Sequence, residues 1–302
     1  MSGRPAALAA ALLSLSLFVG SLAPTAEAAK GGVPGAPQAE AKPTRKPKPT
    51  ATATAVPTPT PVPTATPAPT PTLAPTASPT ASPSPSPSPA PARLEGIDVS
   101  VWQGTIDWTK VAAAGKQFAI IRASAGTLTK DSTYAANRAG AKAAGLKIAA
   151  YHYANPDTAS NDALNEANWF LSLATPARGE MLPALDVEVT NGLSVSQMQT
   201  WVRTWLERVT EVVGVRPMIY TSPNFWRTYM GDTRWFADAG YKVLWIAHWT
   251  TASQPTIPAS NWGGNSWTFW QYTSDGSVPG ISGRVDLDRY NGSTLASSLF
   301  IP

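Results

Sequence analysis

Two acids separated by one residue, Asp186 and Glu188, end the apolar run Leu182-Pro183-Ala184-Leu185-Asp186-Val187-Glu188. Such a run reads as a buried strand, and residues two apart on a strand project to one face, so both carboxylates point the same way. Crowding two negative charges at the end of a buried strand is costly and pushes their pKa values apart. The pair can therefore supply acid chemistry, with one group protonated near neutral pH while its neighbour stays charged. By itself it also fits an ordinary acidic strand end capping the next helix. What the rest of the chain brings beside it decides between the two.

The positioning elements follow from hydrophobic periodicity. Strands are predicted over 94–100, 118–124, 146–153, 182–188 and 216–221, and helices over 107–114, 134–144, 163–173 and 194–213. Gly115 and Gly145 close the first two helices. Repeated strand-then-helix units, with strands apolar throughout, argue for a parallel sheet covered on both faces. Three more strands, over 241–249, 266–273 and 284–290, are joined by stretches rich in Pro, Gly, Asn and Ser without helical period. The expected fold class is α/β, a TIM-like barrel of the (β/α)5(β)3 kind whose last third lacks its helices.

In such barrels the C-terminal ends of several strands build the active site together. Here those ends carry Asp98, Arg122, Tyr151 and Tyr153, Asp186 and Glu188, Tyr220, Trp245 and Trp249, Gln271 and Tyr272, then Asp286 and Asp288. Some of the aromatics would simply cap the barrel with buried area. Capping does not explain four acid-bearing strands with no answering cluster of Lys or Arg. Carboxylates among aromatic rings suit an oligosaccharide, because sugar rings stack on aromatic faces and glycosidic cleavage needs a proton donor to the leaving oxygen. Glu188 is the expected acid, its pKa held up by Asp186 and other nearby carboxylates while the barrel mouth limits its hydration. No metal and no cofactor are expected. His152 and His248 have no second His or Cys at ligand spacing and read as hydrogen-bonded barrel residues, and neither a Gly-x-Ser-x-Gly elbow nor a Gly-rich phosphate loop is present.

The first ninety residues differ in kind. Arg4, an uncharged Ala/Leu/Ser-rich run and the small-residue site Ala26-Glu27-Ala28 have the layout of a secretory signal peptide over 1–28; retention of the leader as an anchor is the other outcome. Residues 29–93 are Pro, Thr, Ala and Ser with alternating Thr-Pro and Ser-Pro dipeptides. Without apolar surface to bury, they are expected to form a disordered, semi-rigid spacer. The net charge of +4 misleads if read for the whole chain, because seven Lys/Arg against two Glu before Leu94 already give +5. The remainder is nearly neutral, which excludes the electrostatic footprint of a nucleic-acid binder. With no Cys in the sequence, the exported domain over 94–302 must hold itself together by its core. After leader removal it is expected outside the cell, as a monomer without stable membrane insertion.

Taken in order, Gly96-Ile97-Asp98-Val99-Ser100-Val101-Trp102-Gln103-Gly104-Thr105-Ile106-Asp107-Trp108, Tyr151-His152-Tyr153, Leu185-Asp186-Val187-Glu188, Ile219-Tyr220-Thr221 and Val285-Asp286-Leu287-Asp288 resemble the successive signatures of glycoside hydrolase family 25, the lysozymes or N-acetylmuramidases of bacteria and their phages. The resemblance covers the chain from about Leu94 onward. It implies a flattened barrel of eight strands and five helices, and cleavage of the β-1,4 bond between N-acetylmuramic acid and N-acetylglucosamine in bacterial peptidoglycan. It further implies Glu188 as general acid, Asp186 as the group stabilising developing charge through the 2-acetamido substituent, and Asp98 and Asp286 as acids that position substrate or tune Glu188. Tyr151, Tyr153, Tyr220, Trp249, Arg122 and Gln271 are the expected substrate-binding residues. One departure stands out: many members carry a Lys and a Glu after the second strand, where this chain has Arg122 and then Ser124-Ala125-Gly126. Two rivals remain. A family 18-like endo-N-acetylglucosaminidase also ends its fourth strand in Asp-x-Glu, but with further Asp residues where this chain has Ala184 and Met181. A wall-binding protein on the same scaffold would hold glycan without cutting it.

Overall fold

The computed structural model describes residues 93–302. The leader expected over 1–28, and all of the spacer expected over 29–93 except Arg93, lie outside the described residues. Arg93 itself sits over the indole of Trp267, with its guanidinium carbon 4.9 Å from the ring centre.

The strands are β1 (Glu95–Val99), β2 (Phe118–Ala125), β3 (Thr129–Lys130), β4 (Lys147–Tyr153), β5 (Ala184–Asp186), β6 (Met218–Thr221), β7 (Leu244–Ala247), β8 (Phe269–Gly276) and β9 (Val285–Tyr290). They run β1-β2-β4-β5-β6-β7-β8-β9 and return to β1, which closes a barrel of eight strands; β3 is a short antiparallel addition to the end of β2. All barrel neighbours are parallel except β9, which is antiparallel to both β8 and β1. Side chains alternate across this wall. Phe118, Ile120, Tyr151, Met218, Tyr220, Trp245, Phe269 and Tyr290 belong to a core inside the barrel, whereas Ile97, Val99, Ile121, Ile148, Leu185 and Ile219 pack outward against the helices.

The helices are α1 (Trp108–Ala113), α2 (Tyr134–Ala143), α3 (Asp162–Ala174), α4 (Val195–Val213), α5 (Pro223–Tyr229), α6 (Trp235–Asp238) and α7 (Pro258–Gly263). Helix α4 shows why the local sequence suffices. Ser194 and Gln197 form a capping box at its start, Gly214 ends it with φ of 78°, and Met198, Trp201, Val202, Trp205, Leu206 and Val209 make one buried face. Helices α5 and α6 complete the fifth strand-then-helix unit. The stretch between β7 and β8, expected without helix, holds α7, six residues with left-handed backbone from Ala259 to Trp262 (φ of 51° to 58°). A left-handed turn costs energy in L-residues and leaves no helical period to read; here it comes with full burial of Trp262.

On the outer side of β4, His152 is locked in a buried polar chain. Its Nδ1 is 2.8 Å from Ser124 Oγ and its Nε2 is 2.7 Å from Glu166 Oε2, which also accepts the Asn155 N–H at 3.1 Å. The ring stacks on Trp205 at 5.5 Å. Burial pushes the imidazole down to about 3 and the Glu166 carboxyl up to about 8, so a neutral carboxyl faces a neutral ring and ties α3 to β4 and β2.

Two outcomes follow. A Cβ at Gly96 would overlap the ring of Phe118, so Gly96→Ala should lower unfolding stability by about 1–3 kcal/mol in urea titrations. Above the ordinary histidine pKa of 6.5 the imidazole is neutral in both states, while folded Glu166 keeps its proton up to about 8. A raised carboxyl stabilises below its unfolded pKa and loses that contribution as pH rises through the folded value. Stability should therefore fall from pH ~6.5 to pH ~8, by about 1–2 kcal/mol from this group, and Glu166→Gln should flatten that fall in the same titrations.

Candidate active site

The parity of the strands brings the expected residues to one end of the barrel. On β1, Asp98 points inward, and because β9 runs antiparallel its first residues, not its last, reach the same end: Asp286 lies opposite Asp98. On β5, Asp186 is in register with Tyr153 of β4 and Tyr220 of β6. Glu188 follows two residues later, outside the ladder of β5, which is shorter than the strand expected over 182–188. Asp98 and Asp186 are buried, Asp286 is half-buried and Glu188 is exposed. The barrel mouth thus limits hydration of Asp186 and not, as anticipated, of Glu188.

Gln271 on β8 organises the floor. Its Oε1 accepts from the Tyr220 hydroxyl at 3.1 Å and from Trp249 Nε1 at 3.2 Å, and its Nε2 donates to Asp98 Oδ2 at 2.7 Å. One amide therefore fixes a carboxylate, a phenol and an indole together. Trp249 is pinned by its nitrogen yet 60 % exposed, so a flat apolar face borders the mouth. Below it Trp245 is fully buried, with Tyr151 against its edge at 5.8 Å and Tyr220 tilted on it at 4.4 Å. Tyr272, on a strand end in the sequence, points away: its hydroxyl donates to Glu95 Oε2 at 2.9 Å, and the Arg289 guanidinium covers its ring at 3.9 Å.

Arg122 lies inside the mouth, its Nε donating to Asp131 Oδ2 at 2.9 Å. Asp131 is a residue that sequence reasoning missed. It is buried, accepts from the backbone N–H of Val101 at 2.8 Å through the same oxygen, and takes Thr133 Oγ1 and N–H on the other. It thus joins the turn after β1 to β2 and holds the Arg122 head. The only signal for it was a lone Asp before a helix start, a pattern shared by many solvated caps. Where many members of the resembled family have a Glu soon after the second strand, this chain draws a carboxylate from beyond the β2–β3 hairpin.

Burial dominates the electrostatics. It raises Asp98 well above the usual carboxylate range, helped by Asp286 and Asp288 and opposed by the Gln271 hydrogen bond. It raises Asp186 well above that range too, with Glu188 adding to the shift and Arg122 opposing it. Tyr151 and Tyr220 are pushed up by burial and stay neutral phenols. One buried oxygen of Asp186, Oδ1, has no hydrogen-bond partner among the described residues. No group of three His, Cys, Asp or Glu among the described residues is placed to hold a metal ion. What the mouth offers is a proton on a crowded carboxyl pair, fixed acceptors and aromatic walls.

The sequence pattern of Glycosyl hydrolases family 25 matches residues 97–281, a span that takes in Asp98, Asp186 and Glu188 and ends before Asp286. Lysozyme M1 of Streptomyces globisporus is 39 % identical over 209 residues, covering 66 % of this chain and 68 % of that one. Among solved structures, the bacterial lysozyme of Streptomyces coelicolor is 37 % identical with a TM-score of 0.62, covering 69 % of this chain and 95 % of that one. The muramidase of Trichobolus zukalii is 28 % identical with a TM-score of 0.59, covering 66 % and 94 %. Matched over most of its described residues in sequence and in barrel architecture, the chain belongs to glycosyl hydrolase family 25 and is a glycoside hydrolase.

Proposed function

We propose that the protein is a secreted muramidase, cutting the β-1,4 bond between N-acetylmuramic acid and N-acetylglucosamine in bacterial peptidoglycan. The observation that carries this reading is the Asp186–Glu188 pair, one member buried with an unpartnered oxygen and the other exposed on the rim. The names of its relatives, lysozyme and muramidase, support the substrate.

Glu188 stands where a glycosidic oxygen can approach, and acts as general acid toward the leaving sugar. Asp186 lies deeper. As the bond breaks, positive charge grows at the anomeric carbon, and Asp186 stabilises it through the 2-acetamido group, whose N–H is a natural donor to the unpartnered Oδ1. Asp98 and Asp286 line the adjoining wall and set the field around the pair. Trp249 offers its face for sugar stacking, while Tyr151, Tyr153, Tyr220, Arg122 and Gln271 shape the walls and floor of the cleft. The leader over 1–28 exports the chain, the Pro/Thr-rich segment over 29–93 is a spacer ahead of the barrel, and the barrel works as a monomer.

Purified protein incubated with peptidoglycan should generate new reducing ends, identified by borohydride reduction and mass analysis as muramic acid. Glucosamine ends would transfer the activity to a glucosaminidase, and binding without new ends would make it a wall-binding protein. Glu188→Gln, isosteric and exposed, should fold and bind as the parent does while kcat drops by about 10²–10⁴. For Asp186→Asn the expected loss in kcat is about 10²–10³; a variant turning over at the parent rate would remove Asp186 from the mechanism.

A further inference from the structure

Asp288 is fully buried one inward position below Asp286, opposite Gly96 on β1 and Gln271 on β8. Its Oδ1 accepts from Trp245 Nε1 at 2.7 Å. Its Oδ2 is buried with no hydrogen-bond partner among the described residues, and the Asp98 carboxyl lies within hydrogen-bonding reach of the Asp288 carboxyl, the two residues flanking each other across the β1–β9 ladder with Gln271 beside both. Asp98 in turn already accepts from Gln271 Nε2 at 2.7 Å. Each carboxyl thus has one oxygen held by an N–H, and both acids are buried inside the barrel.

We infer that Asp98 and Asp288 form a carboxyl–carboxylate pair bridged by a single proton, and that Asp288 is a positioning residue that orients Asp98 toward the substrate mouth. The inference rests on the glycosidase reading of that mouth and extends it one layer inward. Two carboxylates in contact inside an apolar barrel repel each other and lose hydration, whereas one proton between them turns repulsion into a strong hydrogen bond. The surroundings favour keeping that proton. Asp286 and Asp186 add negative charge on the Asp98 side, and burial raises Asp98 well above its usual range and Asp288 to about 7. Lys116, which opposes the shift at Asp288, is a minor influence. The facing phenols of Tyr151 and Tyr220 are neutral, Glu188 stands outside on the rim, and Arg122 is engaged by Asp131. Trp245, buried beneath Tyr151 and Tyr220, holds Asp288 from the other side, so the chain Trp245–Asp288–Asp98–Gln271–Trp249 runs from the core to the exposed indole.

Asparagine at 288 tests this, because its amide donates to Asp98 at every pH and needs no proton. In wild type the pair binds its proton more tightly folded than unfolded, so the urea midpoint should fall as pH rises from ~5 to ~8. In Asp288→Asn that fall should be clearly smaller. With peptidoglycan as substrate, Asp288→Asn should keep kcat within about threefold of wild type and hold it to higher pH, while Asp288→Ala, lacking any donor, should lose about tenfold or more in kcat with little change in KM. Should Asp288→Ala not fold, Asp288→Val, which also lacks a donor, is the replacement to measure. An identical pH dependence of the urea midpoint in wild type and Asp288→Asn overturns the shared proton, and equal kcat for the Asn and the Ala or Val variants overturns the positioning role. The urea arm needs no catalysis, so a wild type that cuts no peptidoglycan refutes the muramidase reading and leaves the proton pair to be judged on stability alone.

Discussion

Carboxyl groups inside a closed barrel lose hydration, and that loss sets a large energetic demand on what surrounds them. Asp98, Asp186 and Asp288 are all buried at or below one mouth, where an unpaired carboxylate would be costly. The surrounding structure reads as the answer to that demand. Gln271 and Trp245 donate to two of the acids, Arg122 sits against the third, and the acids' own contacts favour retained protons. A glycoside hydrolase needs a group that is protonated near neutral pH beside one that can bear charge. Burial holds the inner acids toward their protonated forms, while Glu188 stays exposed on the rim.

Closure of the barrel is what concentrates these groups. Seven parallel strands deliver their C-terminal ends to one side, and an eighth strand in the same sense would bring the opposite end of its sequence there. Strand β9 enters reversed and pairs with both β8 and β1, so its opening residues Asp286 and Asp288 fall beside Asp98. The short connection from β8 through the Gly280 turn suffices for that antiparallel return, whereas a parallel crossover would need a longer one. Around this inner arrangement, the apolar outer face of the strands and the six-residue stripe of α4 provide the burial that holds the wall in place. The chain of Ser124, His152 and Glu166 adds a directional lock behind β4, close to the tyrosines that face the mouth.

Much of this was legible in the residues. The order of strands and helices, the enzyme class and the convergence of Asp98, Asp186, Glu188 and Asp286 follow from periodicity, from the Asp-x-Glu strand end and from family resemblance. All ten residues marked for the site lie on the strands, strand ends and loops that meet at the mouth. The local physics behind these features is short-ranged: alternation selects a face, a capping box starts a helix, a glycine ends one. The left-handed α7 escaped because its conformation is imposed by burial of Trp262 and carries no periodic signature.

By itself, then, the sequence determined which residue types stand at strand ends and that their faces coincide within each strand, because a two-residue period is a property of the backbone. Only the tertiary structure decided how faces on different strands meet. It made Glu188 exposed and Asp186 buried although one residue separates them, since the ladder of β5 ends at Asp186. It turned Tyr272 away from the mouth, tied Arg122 to Asp131 across the β2–β3 hairpin, and set Asp288 against Asp98 from the opposite terminus of the barrel. Burial and contact between distant strands are set by closure of the sheet, and closure is a constraint on the whole ring that no single stretch of sequence contains.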